Sequence, residues 1–153
     1  MTNFPITLTL PDEIDTIALA NHIAPLLNPG DTLLLDGPIG AGKSAFARAL
    51  IRARLGRMED VPSPTFTLVQ TYEAPDGDIW HCDLYRLTHP DEAFELGLDE
   101  AFSTAICLIE WPDRLGADIP SNALNLTFSA GHTAHSVKID ATADWQQRLR
   151  GIL

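Results

Sequence analysis

Lysine is nearly missing from this chain of 153 residues. Only Lys43 and Lys138 are present, and Lys and Arg together number 10 against 21 Asp and Glu. The formal net charge of -11 argues against direct, non-specific nucleic-acid binding, which rests on neutralising phosphates with cations. A role in a nucleic-acid pathway would have to run through partner proteins. Cysteine is equally scarce. Cys82 and Cys107 sit in separate apolar segments without metal-ligand spacing, so two buried, reduced thiols are expected. No apolar run approaches the roughly 20 residues that span a bilayer. The stretch Met1-Thr2-Asn3-Phe4-Pro5-Ile6 lacks the basic region and long apolar run of a signal peptide, which makes the cytoplasm the expected compartment. Repeats, low-complexity tracts and linkers are absent as well. With 45% hydrophobic and 20% charged residues, the chain reads as one globular domain, 1–153.

Against this background, residues Gly37-Pro38-Ile39-Gly40-Ala41-Gly42-Lys43-Ser44 form a complete G-x-x-x-x-G-K-S phosphate-binding loop. The apolar run Leu33-Leu34-Leu35 precedes it, and helix formers from Ala45 to Arg52 follow, the strand–loop–helix setting the motif requires. Glycines leave room for backbone N–H groups to turn towards phosphate oxygens, and the helix N-terminus adds about half a positive charge. Lys43 is expected to reach the β and γ phosphates and Ser44 to ligate Mg²⁺. The loop from Gly37 through Ala45 is thus read as a nucleoside triphosphate site.

Period-two alternation predicts a strand over Ile6 to Leu10, and near-helical spacing predicts a helix over Asp12 to Leu27. Pro25 should weaken its last turn. Thr32 to Asp36 reads as a buried strand, and the helix after the loop should run to Leu55 and end at Gly56. Arg57 to Phe66, crowded with Pro62, Ser63 and Pro64, reads as an ordered loop across the nucleotide mouth. Thr67 to Glu73 with Ile79 to Tyr85, and Leu124 to Phe128 with Ser136 to Asp140, read as hairpins. Thr88 should cap a short helix that Gly97 interrupts. Ala105 to Ile109 reads as a strand covered on both faces. A C-terminal helix from Asp144 should pack Trp145 and Leu149 on the sheet. The expectation is an α/β fold with a mixed, partly antiparallel sheet.

Hydrolysis needs acids besides the loop. Glu110, ending Ile106-Cys107-Leu108-Ile109-Glu110, has the form of a Walker B acid, and Asp83 ends the apolar strand before it. Either could instead be a solvated or capping acid. Thr65 stands where a switch loop senses γ-phosphate and metal, or is an ordinary loop Thr beside Pro, and Trp111 follows Glu110 closely enough to lie at the nucleotide, or simply packs. His81 could be near the site or purely structural. Arg48, Arg52, Arg54 and Arg57 read as a solvated helix face or a docking site for an acidic partner. Asp91, Glu92, Glu95, Asp99 and Glu100 form an acidic stretch. No Asn-Lys-x-Asp element follows Glu110, which favours ATP over GTP. A small-molecule kinase and a binding module without useful turnover remain open. The kinase would need an arginine-bearing lid, and only Arg86 and Arg114 stand between the loop region and the C-terminal helix.

Taken in order, Pro29-Gly30-Asp31, Gly40-Ala41-Gly42-Lys43-Ser44, Ser63-Pro64-Thr65-Phe66, His81-Cys82-Asp83-Leu84-Tyr85-Arg86-Leu87, Glu95-Leu96-Gly97 and Glu110-Trp111-Pro112 resemble the bacterial TsaE (YjeE) family. The likeness runs from about residue 5 to about residue 130. It implies a P-loop NTPase three-layer sandwich and a Mg²⁺-dependent ATPase, slow alone. It also implies work with a two-subunit transferase, TsaB and TsaD, which moves a threonylcarbamoyl group to an adenosine of tRNAs that read codons beginning with A. By the same resemblance Lys43 binds phosphates, Ser44 and Glu110 serve Mg²⁺, and Asp83 is an essential acid near the γ-phosphate. Thr65 would be the switch residue and Trp111 a reporter of nucleotide. Two departures stand out: Ser44 replaces the commoner Thr, and Pro38-Ile39 replaces an acid–Leu pair.

Overall fold

The computed structural model describes residues 4–62, 64 and 67–152. Its strands are β1 (Ile6–Leu10), β2 (Thr32–Asp36), β3 (Val69–Ala74), β4 (Gly77–Asp83), β5 (Ile106–Glu110), β6 (Leu124–Ala130) and β7 (His135–Asp140). All join one sheet in the order β1-β7-β6-β2-β5-β4-β3. The central strands β6, β2, β5 and β4 run parallel, while β1–β7, β6–β7 and β3–β4 pair antiparallel. Both hairpins and the mixed sheet are as the alternation indicated. The helices are α1 (Glu13–Ile23), α2 (Lys43–Leu55), α3 (Pro90–Glu95), α4 (Leu98–Thr104) and α5 (Ala143–Leu149).

Alternation along β2 explains the layering. Leu33 and Leu35 enter the core shared with α1, α2 and α5, whereas Leu34 enters the core shared with α3 and α4. A sheet buried on both faces needs continuous apolar strands, and Ile106 to Ile109 are each fully buried. Phe46 anchors α2 to the sheet, fully buried with its ring centroid 5.6 Å from that of Phe128. Truncating Phe46 to Ala would cost about 3–5 kcal/mol and loosen the helix that carries the phosphate loop.

The chain ends of helices follow the expected chemistry with one correction. Pro25 does interrupt α1, whose chain tightens into a 3-10 turn over Ala24–Leu26. Gly56, with φ 72°, closes α2. Gly97, with φ 96°, separates α3 from α4. Thr88, however, is not the cap of α3. His89 takes that position, its ring accepting from the Asp91 N–H, because Pro90 then falls at the first helical turn where no N–H is needed. Thr88 instead hydrogen-bonds the Glu92 carboxylate.

The segment after α2 also departs from expectation. Arg52 Nε donates to Glu59 O at 3.0 Å and Arg48 Nε to Val61 O at 3.4 Å. Val61 is buried in the α2 core. Residues 57–61 therefore lie back against α2 rather than across the nucleotide mouth. Arg48 and Arg52 are not freely solvated: they tie the backbone of this turn to the helix, and Arg54 reaches Ala24 O at 3.2 Å, while Arg57 is exposed and pairs with Glu59 at 2.9 Å. At the other end of the chain, Trp145 is buried with Nε1 donating to Asn122 O at 2.8 Å. Arg148 forms a bidentate pair with Asp31 at 2.6 and 3.0 Å, fixing α5 to the turn before β2.

Candidate functional site

The parallel strands β2, β4 and β5 all end at one edge, and the phosphate loop, Asp83 and Glu110 lie there together. Strand register makes this unavoidable: Leu35 is paired with Glu110, and Glu110 with Asp83. Two glycines shape the loop. Gly42 takes φ 108° just before α2, in the left-handed region that side chains avoid. At Gly37 a Cβ would stand 2.4 Å from Phe128 O, so only glycine lets the loop start against β6.

Behind the loop, Lys43 is 5% exposed and its Nζ is a buried atom without a hydrogen-bond partner. The ammonium lies 3.7 Å from the centroid of the Trp111 ring. Burial lowers the Lys43 pKa, although Glu110, Asp83, Asp36 and Asp113 all pull it upward. A buried ammonium without an acceptor is costly, and an anion in the loop removes that cost. Trp111 itself holds φ 59°, ψ 53° at the start of the following turn. A bulky residue there stores about 1–3 kcal/mol of strain.

Two buried acids complete the wall. Glu110 is 2% exposed, so it is no solvated strand-end acid. One of its oxygens accepts from Ser44 Oγ at 3.4 Å, and the other lies 2.6 Å from His81 Nε2. Asp83 accepts from the Tyr85 N–H at 3.1 Å, so it caps the turn and lines the cavity as well. A hydroxyl beside a carboxylate, with room for phosphate oxygens and waters, matches the oxygen donors that Mg²⁺ takes. Among the described residues no cluster of three His, Cys, Asp or Glu could hold a metal without such additional ligands.

The cavity has a volume of about 890 Å³, enough for a nucleotide. The sequence-predicted residues Ile39, Gly40, Gly42, Lys43, Ser44, Ala45, Asp83, Glu110 and Trp111 all line it, Ile39 with 80% of its surface exposed. Gly37, Pro38 and Ala41 belong to the same loop but do not line the cavity. Thr65 and Ser63 lie outside the described residues. None of the described residues of 57–64 lines the cavity. Two wall segments had no sequence signal: Asp12, Glu13 and Thr16 at the start of α1, and His132 to His135 from the β6–β7 turn into β7. The pairing of Leu10 with His135 joins the two segments, and a Cβ at Gly42 would stand 3.9 Å from His135 Nδ1 and 4.0 Å from Thr16 Cγ2, so both meet the loop. Cys82 and Cys107 are buried, free thiols as expected; burial pushes Cys107 up to about 12 and Cys82 well above its ordinary value. Among the described residues no helix is long and apolar enough to cross a membrane.

The family described as "Threonylcarbamoyl adenosine biosynthesis protein TsaE" matches residues 10–138. A tRNA threonylcarbamoyladenosine biosynthesis protein TsaE of Rickettsia bellii is 43% identical over 112 residues, 73% of this chain and 78% of that protein. The Bacillus subtilis protein of the same name is 34% identical over 137 residues, covering 88% of this chain and 85% of its own length. The crystal structure of Bacillus subtilis YdiB superposes with a TM-score of 0.77 at 28% identity, over 97% of this chain and 94% of that one. The fold is accordingly the P-loop NTPase sandwich with a mixed central sheet. With a family match across most of its length and relatives above 30% identity, the chain belongs to the TsaE family of tRNA threonylcarbamoyladenosine biosynthesis.

Proposed function

We propose that this chain is the Mg²⁺-dependent ATPase of that machinery, binding and hydrolysing ATP to cycle a TsaB–TsaD transferase in the cytoplasm. The observation that carries the reading is the buried, unpaired Lys43 ammonium, set in one cavity with the Ser44–Glu110 pair. Lys43 and the N–H groups from Gly40 to Ala45 hold the β and γ phosphates and offset charge as the γ-phosphoryl group departs. Ser44 Oγ and the Glu110 carboxylate hold Mg²⁺, which when bound neutralises phosphate charge. Asp83, facing Glu110 across the strand pair, orients the attacking water. His81 fixes one Glu110 oxygen and leaves the other towards Ser44. In this reading Trp111 receives the Lys43 ammonium when no phosphate is present and releases it to the nucleotide. Thr65 is the proposed switch residue. The transferase, not this acidic chain, carries the tRNA.

The kinase alternative is weaker. Of its two candidate lid arginines only Arg86 lines the cavity, while Arg114 lies over the Tyr85 ring at 5.9 Å. Phosphate release from Mg-ATP by the purified chain, alone and with TsaB–TsaD, tests the proposal. Slow release that accelerates with the transferase is expected. Phosphate transfer to a small acceptor, or ATP left intact with every partner present, overturns it.

A further inference from the structure

A second concavity, of about 460 Å³, runs between α1 and α2 on the outer side of the phosphate-loop helix. Its apolar lining comes from Ile17, Ala49, Ala53 and Met58. Ile17 and Met58 are 38% and 85% exposed, and Ile14, one turn earlier on the same side of α1, is 76% exposed. These are three of the six large exposed hydrophobics among the described residues. Clustered in this way, they form the kind of patch that marks an interaction surface.

The charge of this groove is opposite to that of the chain. Among the described residues Arg48, Arg52 and Arg57, the last also paired with Glu59 at 2.9 Å, line it with a single acid, Glu13, although the whole sequence carries -11. Arg48 and Arg52 are held through Nε by backbone carbonyls of the following turn. Their guanidinium groups are thus already oriented, which lowers the ordering cost of binding a partner. Guanidinium groups pair carboxylates in forked geometry, and the aliphatic floor suits Leu, Ile or Val side chains. Among the described residues no aromatic ring lines the groove for bases to stack on, and the net charge repels a phosphate backbone.

We infer that this groove docks an acidic segment with aliphatic side chains from a partner protein. Glu13 and Ala45 line both this groove and the nucleotide cavity. A ligand on either side therefore presses on the same first turns of α1 and α2, and docking and nucleotide state are linked. The inference rests on the partner-dependent reading above, so the segment belongs to the TsaB–TsaD transferase.

Binding of purified TsaB–TsaD to the parent chain and to Ala53→Glu and Met58→Glu, with ATP, with ADP and with neither, tests it. Both positions are exposed and outside the nucleotide machinery, and each change places an acid where an acid must dock. Expected are at least tenfold weaker transferase binding, salt-sensitive binding of the parent, ATP affinity within twofold of the parent and an unchanged Tm. Leu96→Glu, on α3's far side of the sheet, serves as control and should bind normally. If the parent binds and both groove variants bind equally well, the groove assignment fails while the partner reading stands. If the parent binds in no nucleotide state, the partner reading fails and takes this inference with it. A parent dimer that Ala53→Glu dissolves would also overturn it, making the groove a contact between copies of this chain.

Discussion

His81 Nε2 lies 2.6 Å from Glu110 Oε2, with each side chain 3% exposed. Nδ1 of the same ring is buried and unpartnered. A proton on Nε2 therefore serves the carboxylate, whereas a proton on Nδ1 would be a buried donor without an acceptor. A histidine placed in this way orients the acid, which in the proposed function presents its other oxygen to Mg²⁺.

That relationship makes His81→Leu informative. We expect the Mg²⁺ concentration that half-tightens nucleotide binding to rise roughly 10–100-fold. ATP binding without Mg²⁺ should hold near the parent value. His81→Gln, whose amide can donate to Glu110, should recover part of the loss. Equal Mg²⁺ titrations for all three proteins would show that the pair is only structural.

Lys43 predicts two opposite pH trends. Its folded pKa is lowered, chiefly by burial. Between that lowered value and the ordinary 10.5, the unfolded chain holds more protons than the folded one, so the Lys43 contribution to stability rises with pH. ATP binding requires the ammonium, so affinity should fall over the same window. Lys43→Met should remove both trends and weaken ATP binding by about 1.5–3 kcal/mol. Chemical unfolding and ATP titration across alkaline pH would read them, and affinity that is flat with pH in the parent would reject the assignment.

Glu110→Gln separates binding from turnover. The amide keeps the shape but gives up the anionic oxygen that faces Ser44. Phosphate release should fall on the order of 100-fold, while ATP affinity changes only a fewfold. Hydrolysis at the parent rate would mean that Glu110 has another role.

Trp111 should report the departure of Lys43 from its ring. A cation at 3.7 Å from the centroid leaves when phosphate is offered, so indole emission should change on adding ATP. Trp80 and Trp145 remain in Trp111→Phe, and that variant should lose the change. A full signal from it would place the response elsewhere.

The phosphate loop, both hairpins and the buried strand ending in Glu110 were legible because each rests on local chemistry. Glycine spacing, period-two alternation and a continuous apolar run all act over fewer than about ten residues. The His89 cap was not legible, since Thr88 and His89 compete for one position and Pro90 settles it only through backbone geometry. The arginine contacts to residues 59 and 61 were hidden for a similar reason. Their acceptors are backbone carbonyls, which carry no side-chain signature.

By itself, then, the sequence determined the make-up of the candidate site: a glycine-rich loop with phosphate-binding spacing, Lys43, Ser44, and acids at strand ends. It also determined the net charge of -11, which argues against direct, non-specific nucleic-acid binding. Tertiary structure alone decided that His81 faces Glu110, that Lys43 rests on Trp111, and that Asp12 and His135 wall the same cavity. Those contacts join residues 29, 68 and 123 positions apart, and only the order and register of the sheet set such distances.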